Sequence, residues 1–265
     1  MLTQNRRIDR ISESLRIIRA GEKQGATLRM MGGLAVRAHC EDLEFCEREY
    51  GDIDLVGLER QAAEIRSTFE SLGYSEDLEV AISTDGTRLL FQQKGTRDHV
   101  DVFLDELRME HTIDLRERLH IEELTISVSD ILVTKLIIYD MNEKDYRDIF
   151  STVKDLEFGS EDIPGMINVD YIASICSRNW PLYQDLTSNI DRCLHILSYY
   201  DFSEEEVNKI KDRFHTIKKT MQARPKSLRW KLRALFGNRI PVREVVEEED
   251  LQSTDLSAEL KKMKS

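Results

Sequence analysis

What this sequence lacks narrows it first. Its four cysteines, Cys40, Cys46, Cys176 and Cys193, show none of the spacings that zinc sites use, so they read as free thiols in or near the core. No apolar run approaches the length of a membrane span, and the polar opening Met1-Leu2-Thr3-Gln4-Asn5-Arg6-Arg7 lacks the apolar core of a signal peptide. A cytoplasmic protein without membrane contact is the expectation. Positive charge is not in excess either: 38 Lys and Arg stand against 50 Asp and Glu, for a net charge of −12. That balance argues against a protein that coats nucleic acid with its whole surface, while leaving room for a local basic groove. At 265 residues the chain can bury one good core plus a smaller one.

What is present begins with a turn. Leu28, Met30 and Met31 form a short apolar strand pattern, and an apolar-periodic segment from Leu34 to Phe45 reads as a helix, so Gly32-Gly33 is a strand-to-helix turn. Glycines there let a phosphate approach the backbone, and the N–H groups at a helix start supply donors and partial positive charge. Asp52-Ile53-Asp54 follows. Residues two apart on a strand share a side, so both carboxylates face one way while Ile53 and Leu55 alternate toward the core. Two such acids repel unless a cation sits between them, and a hard divalent ion such as Mg²⁺ is suited to carboxylate oxygens. His99-Val100-Asp101-Val102-Phe103-Leu104 is another strand pattern with one acid, Asp101, whose burial is costly unless it too meets a cation. A glycine turn, a same-side Asp pair and a later strand Asp are what a two-metal phosphoryl-transfer site needs.

This combination resembles the nucleotidyltransferase superfamily of the DNA polymerase β type. There the pattern is Gly-Gly or Gly-Ser, then Asp-x-Asp or Asp-x-Glu, then a third Asp on a neighbouring strand. The order of elements agrees: helix at Ile8–Ala20, the turn and its helix, the Asp52–Asp54 strand, a helix at Arg60–Leu72 stopped by Gly73, strands at Leu78–Ile82 and Leu89–Gln92, then the Asp101 strand. An α+β fold is expected, with a polymerase β-like core (a mixed sheet with helices on one face) at residues 1–127, a C-terminal helical bundle at 128–240, and a charged, disordered tail at 241–265.

Lys135 lies in an apolar helical stretch among Ile131, Leu132, Leu136, Ile137 and Ile138, where an unpaired ammonium is costly and an anionic partner is expected. Asn142 with Asp145 three residues on looks like a capping box, and Lys144 with Asp148 like a helix ion pair. The whole stretch resembles the lysine-containing helix and the following Lys/Arg-Asp-x-x-Asp motif of bacterial nucleotidyltransferases related to the AbiEii and MenT toxins. Carried over, that resemblance places the residues on which activity depends at Asp52, Asp54, Lys135 and Asp145, with Lys135 neutralising triphosphate charge and Asp145 orienting Lys135 or the acceptor hydroxyl. Asp148 keeps a structural role in this reading. Two departures stand out. Gly33 replaces the Ser that many members use to touch phosphate, and the third strand acid is not consistent in the toxin group, so Asp101 is either the third metal ligand or a partly buried structural acid. Arg48 and Arg37 are each either triphosphate contacts or surface charges.

Further on, Leu186, Ile190, Cys193, Leu194 and Leu197 make one helical stripe and Val207, Ile210, Phe214 and Ile217 another, with a helix break at Trp180-Pro181. Gln222 to Arg243 holds Arg224, Lys226, Arg229, Lys231, Arg233, Arg239 and Arg243 and no acid, with Trp230 and Phe236 interleaved. Two readings stay open: an amphipathic helix with Leu228, Leu232 and Leu235 inward, whose basic side answers the acidic remainder, or a phosphate-tracking surface for RNA. The function expected is Mg²⁺-dependent transfer of a nucleoside monophosphate from an NTP to a hydroxyl, with Asp52, Asp54 and Asp101 as metal ligands and Gly32, Gly33, Arg48 and Lys135 against the nucleotide. An RNA 3′ end is favoured as acceptor over a protein or small molecule, and the toxin resemblance implies an antitoxin partner. The alternative is a nucleotide-sensing or partner-binding module of the same fold without turnover.

Overall fold

The computed structural model describes residues 2–46, 48–93 and 98–237. In chain order the first half runs α1 (Leu2–Lys23), β1 (Leu28–Met30), α2 (Gly32–His39), β2 (Ile53–Gly57), α3 (Ala62–Ser71), β3 (Tyr74–Asp77), α4 (Leu78–Ser83), β4 (Arg88–Gln93), β5 (His99–Leu104), β6 (Glu106–Arg108) and β7 (Thr112–Asp114). The second half runs α5 (Val128–Leu136), α6 (Glu143–Asp155), β8 (Glu157–Gly159), β9 (Met166–Asn168), α7 (Val169–Arg178), α8 (Trp180–Ile196), α9 (Glu204–Ala223) and α10 (Leu228–Phe236). The architecture is α+β.

The expected mixed sheet is present. Its strand order is β1-β2-β5-β4-β3, with β2 and β5 parallel and the other neighbouring pairs antiparallel. Because β5 inserts between β2 and β4, the two acid-bearing strands become neighbours. Alternation does the rest: Ile53, Leu55, Leu89, Phe91, Val100 and Val102 are buried, and Phe91 stacks on Phe69 of α3 at 3.8 Å. Side chains at Asp54, Arg88, His99 and Asp101 therefore share the opposite side of the sheet, which carries the candidate site.

Several local expectations change. The helix after the glycine turn ends at His39, and Cys40 and Cys46 lie in the loop that follows, joined as a disulfide. The sequence pattern alone predicts both as free thiols within a longer helix, and the structure corrects that. Extended backbone at Cys40 stops the helix, and the intervening residues turn the chain back so that the two sulfurs meet. The bridge rests on α6, with Ser151 Oγ 3.1 Å from Cys46 Sγ. A disulfide is at odds with the reducing cytoplasm expected from the sequence. Cys176 and Cys193 are free and buried. Leu78–Ile82 forms the helix α4 rather than a strand, because Asp77 accepts a hydrogen bond from the Glu79 N–H and caps a helix start there.

The second half is helical apart from the short parallel pair β8–β9. Ser127 caps α5, and Asn142 with Asp145 forms the expected capping box of α6. Asn179 caps α8, whose proline sits in the first turn. On α10 the expectation inverts. Leu228, Leu232 and Leu235 are 79%, 60% and 80% exposed, whereas Trp230 packs edge-on against Tyr183 and Arg233 lies over Trp180. The basic and aromatic side of the helix makes the contacts, since planar guanidinium and indole groups cover each other well. The buried side chains form one cluster that runs through both halves. No helix among the described residues is long and apolar enough to cross a membrane. The expected tail at 241–265, with Arg243, and Arg239 before it lie outside the described residues.

Candidate active site

The site is built on one register match. Asp54 and Asp101 are directly opposed Cα partners on the parallel pair β2–β5, and Asp52 stands one residue before β2. The glycine turn closes against them. The Met31 N–H donates to the Asp54 carbonyl at 2.9 Å, and Gly32 follows at φ +65°, a conformation that suits glycine. A Cβ at Gly32 would lie 2.7 Å from Asp54 Oδ2, so the carboxylate occupies the room that the missing side chain leaves. At Gly33 the space for a Cβ is taken by the Arg48 guanidinium. No side chain caps α2, which leaves its first N–H groups beside this turn.

Burial, then the neighbouring carboxylates of Asp101 and Asp52, push the Asp54 pKa up to about 6, with Lys135 and Arg88 pulling weakly the other way. Among the described residues no side chain donates a hydrogen bond to the Asp54 carboxylate or pairs with it. Asp101, buried at 4% exposure, differs: Arg88 Nε donates to its Oδ1 at 2.6 Å. The imidazole of His99 sits between the acids, with Nε2 3.3 Å from Asp52 Oδ1 and 3.8 Å from Asp101 Oδ2.

A second group of charges comes from α5 and α6. Lys135 Nζ lies 2.8 Å from Asp148 and 3.2 Å from Asp145. Burial pushes the ammonium down, but the carboxylates of Asp148 and Asp145 outweigh it and hold the Lys135 pKa above its ordinary value. Asp148 also accepts from Arg48 Nη2 at 2.8 Å, and Asp145 accepts from the Asn142 N–H that it caps. Asp148 is thus the hub of this group, and the expected helix pair with Lys144 is replaced by these two partners. Arg48 is held in place by its loop: Arg147 donates to the Phe45 carbonyl at 3.1 Å, the Tyr50 hydroxyl donates to the Cys46 carbonyl at 2.9 Å, and the Arg48 guanidinium lies over the Tyr50 ring. Arg37 on α2 keeps its Nε shielded from solvent with no hydrogen-bond partner among the described residues.

Sequence reasoning named Asp52, Asp54, Asp101, Lys135, Asp145, Gly32, Gly33 and Arg48. The fold sets the three acids together beside Gly32, and Lys135, Asp145 and Arg48 together beside Gly33. It missed His99, Arg88 and the central part played by Asp148. His99 was within reach, two residues before Asp101 and therefore on the same side of its strand. Arg88 was not, because its approach depends on the antiparallel register of β4 with β5.

The donor chemistry fits Mg²⁺. The Asp54 carboxylate has no donor side chain among the described residues, Asp52 has only the His99 imidazole at 3.3 Å, and burial first, then the neighbouring acids, raise the Asp54 pKa. This ion is commonly held by one or two carboxylates together with substrate phosphates rather than by a full protein cage. Among the described residues no group of three or more His, Cys, Asp or Glu side chains is arranged to hold a metal, so Asp52, Asp54 and Asp101 do not form the three-acid metal set expected from the sequence.

Of the basic residues expected to meet RNA, Lys226 donates to the Met221 and Arg224 carbonyls at the end of α9, and Arg224 lies within 4.0 Å of Asp170. Those two serve the fold. Arg229 and Lys231 are exposed, and Arg233 donates to the Gly237 carbonyl at 2.7 Å.

No protein-family model matches the chain, and no curated protein sequence does. Among solved structures the antibiotic-resistance factor ANT(2'')-Ia is similar, with 14% identity, a TM-score of 0.37, and coverage of 54% of this chain and 81% of that one. A likeness at that level assigns neither fold nor function, so the reading rests on the geometry above.

Proposed function

We propose that this protein transfers a nucleoside monophosphate from an NTP to a hydroxyl, releasing pyrophosphate. The observation that carries the reading is the Asp54 carboxylate: paired in register with Asp101, pressed against Gly32 at an uncapped helix start, and short of positive charge. Asp52 and Asp54 hold Mg²⁺ in this reading, and the ion supplies charge neutralisation for the triphosphate and acidity for the attacking hydroxyl. The backbone N–H groups of α2 bind phosphate oxygens. Arg48 and Lys135 approach from the other side of the turn, as a guanidinium fork and as a point charge. Asp148 and Asp145 orient those two cations. Asp101 completes the acidic set once Arg88 turns from it to the incoming anion, and His99, between Asp52 and Asp101, is placed to accept the proton of the acceptor hydroxyl.

The acceptor proposed is an RNA 3′ end, as part of a growth-inhibiting activity answered by a neutralising protein. The test is incubation of the purified protein with each labelled NTP, Mg²⁺ and total RNA or cell lysate. Label moving to RNA, and no longer moving in Asp54→Asn, upholds the reading, while label on protein or a small molecule changes the acceptor. A second reading has its own observation. Asp101 is already neutralised by Arg88 at 2.6 Å, as in a site that binds nucleotide without turnover. Nucleotide binding with no pyrophosphate release in any of these mixtures would favour that module.

A further inference from the structure

We propose that Cys40 and Cys46 form a thiol–disulfide exchange site whose oxidation state decides how firmly Arg48 is held at the glycine turn.

The cysteines of this chain are of two kinds. Cys176 and Cys193 are fully buried, and burial pushes both thiols up, so neither is suited to exchange. Cys40 and Cys46 are bridged in a loop, at 9% and 6% exposure, with the exposed residues Glu41, Asp42, Leu43 and Glu44 between them. Each of these sulfurs also has beside it the partner that a thiol uses. The Asp42 carbonyl oxygen lies 3.0 Å from Cys40 Sγ, where it can accept an S–H. Ser151 Oγ lies 3.1 Å from Cys46 Sγ, and its hydroxyl can donate to the sulfur or accept from the thiol. A permanent staple needs neither contact, whereas a pair that opens and closes uses both. The bridge spans a sequence separation of only 6, so it confines the unfolded chain less than a long ring does, and its effect is mainly local.

The loop that it closes leads to Arg48. The Cys46 carbonyl accepts from the Tyr50 hydroxyl at 2.9 Å, and the Arg48 guanidinium lies over the Tyr50 ring. Arg48 Nη2 reaches Asp148 at 2.8 Å and fills the space that a Gly33 Cβ would take. Ser151, in contact with Cys46, stands one turn beyond Asp148 on α6. While the bridge is closed, the end of α2 and the residues before Arg48 hold each other directly. Once it opens, Arg48 is left to Asp148 and Tyr50 alone.

The reaction is a two-electron exchange with a dithiol. A thiolate of the reductant attacks one sulfur, the S–S bond breaks, and the departing sulfur takes up a proton. The second thiol of the reductant gives up its proton and displaces the first sulfur. The protein ends with two thiols and the reductant with a disulfide, and a disulfide oxidant reverses both steps.

The experiment compares the full chain after treatment with diamide and with excess dithiothreitol, with no nucleotide or metal present. Iodoacetamide under native conditions should label Cys40 and Cys46 only after dithiothreitol, and Cys176 and Cys193 after neither. Amide exchange over residues 40–50 should quicken about tenfold or more on reduction, with α9 unchanged, because the constraint of the ring is lost. Cys40→Ser and, separately, Cys46→Ser should show the faster exchange after either treatment. The proposal is overturned if both cysteines stay unlabelled after dithiothreitol, if residues 40–50 exchange equally in the two states, or if a serine variant still responds as the parent does. The consequence for nucleotide rests on the function proposed above: an NTP should bind the oxidised protein about tenfold more tightly than the reduced one, as a fixed guanidinium loses less freedom on binding. Equal NTP binding by both forms overturns the control of Arg48. No binding by either form counts against nucleotidyl transfer, and labelling and amide exchange then decide the exchange site by themselves.

Discussion

Two carboxylates of this protein, Asp54 on β2 and Asp130 on α5, are withdrawn from water in opposite ways. Asp130 is fully buried and saturated. It accepts from Arg118 Nε at 2.7 Å, Ser127 Oγ at 2.6 Å and the Tyr171 hydroxyl at 2.7 Å, and Arg118 lies over the Tyr171 ring and reaches on to Asp162 at 2.9 Å. That cluster ties the segment before α5 to α5 and α7. Asp54 is only partly buried, yet it has two acids for neighbours and no donor among the described residues. A saturated buried acid is a fastener. An unsaturated one in a concave place marks where a ligand belongs.

The contrast can be broken at either end. The largest effect is expected for Asp54→Ala, which should lower transfer by about 10³-fold with little loss of fold, as when a preorganised charge is removed from an active site. Labelled-NTP kinetics on the folded variant measure it, and unimpaired turnover would leave Asp54 without a role. Arg118→Ala should do the reverse. It strands Asp130 in the interior and costs about 3–5 kcal/mol in urea denaturation. A loss under about 1 kcal/mol would mean that the cluster is not the fastener described.

Asp54→Asn sharpens the comparison through pH. The folded pKa, about 6, lies above the ordinary 3.8, so folding favours the protonated acid. The stability this gives is present below pH 3.8 and is lost as pH rises through about 6. Metal-free Asp54→Asn should therefore exceed the parent by on the order of 3 kcal/mol at pH 7 and come close to it near pH 4. Equal melting at both pH values, with EDTA present, would refute the electrostatic account. The smallest effect belongs to Lys144→Ala. Since Asp148 pairs with Arg48 and Lys135 instead, the loss should stay under about 0.5 kcal/mol by thermal melting.

How much could be read in advance differs by element. The strands of Asp54 and Asp101, the Asn142 capping box and the break at Trp180-Pro181 follow from alternation and local hydrogen bonding, which a few neighbouring residues determine. The disulfide did not show, because spacing alone does not bring Cys40 and Cys46 together; the end of α2 at His39 does. The outward leucines of α10 did not show either. Their spacing is amphipathic, but the body of the protein offers Tyr183 and Trp180 to the other face, and stacking on those rings won.

The amino-acid order alone settled which residues carry charge into apolar strands, and where helices must begin, since both depend on contacts a few residues long. Only the tertiary structure decided who meets whom. Inserting β5 beside β2 made Asp101 the partner of Asp54, and the register of β4 brought Arg88 to it. The packing of α6 against α5 gave Lys135 to Asp148 rather than leaving Asp148 to Lys144. Long-range pairing is a competition among distant groups for the same desolvated space, and its outcome is fixed by the geometry of the sheet rather than by separation along the chain.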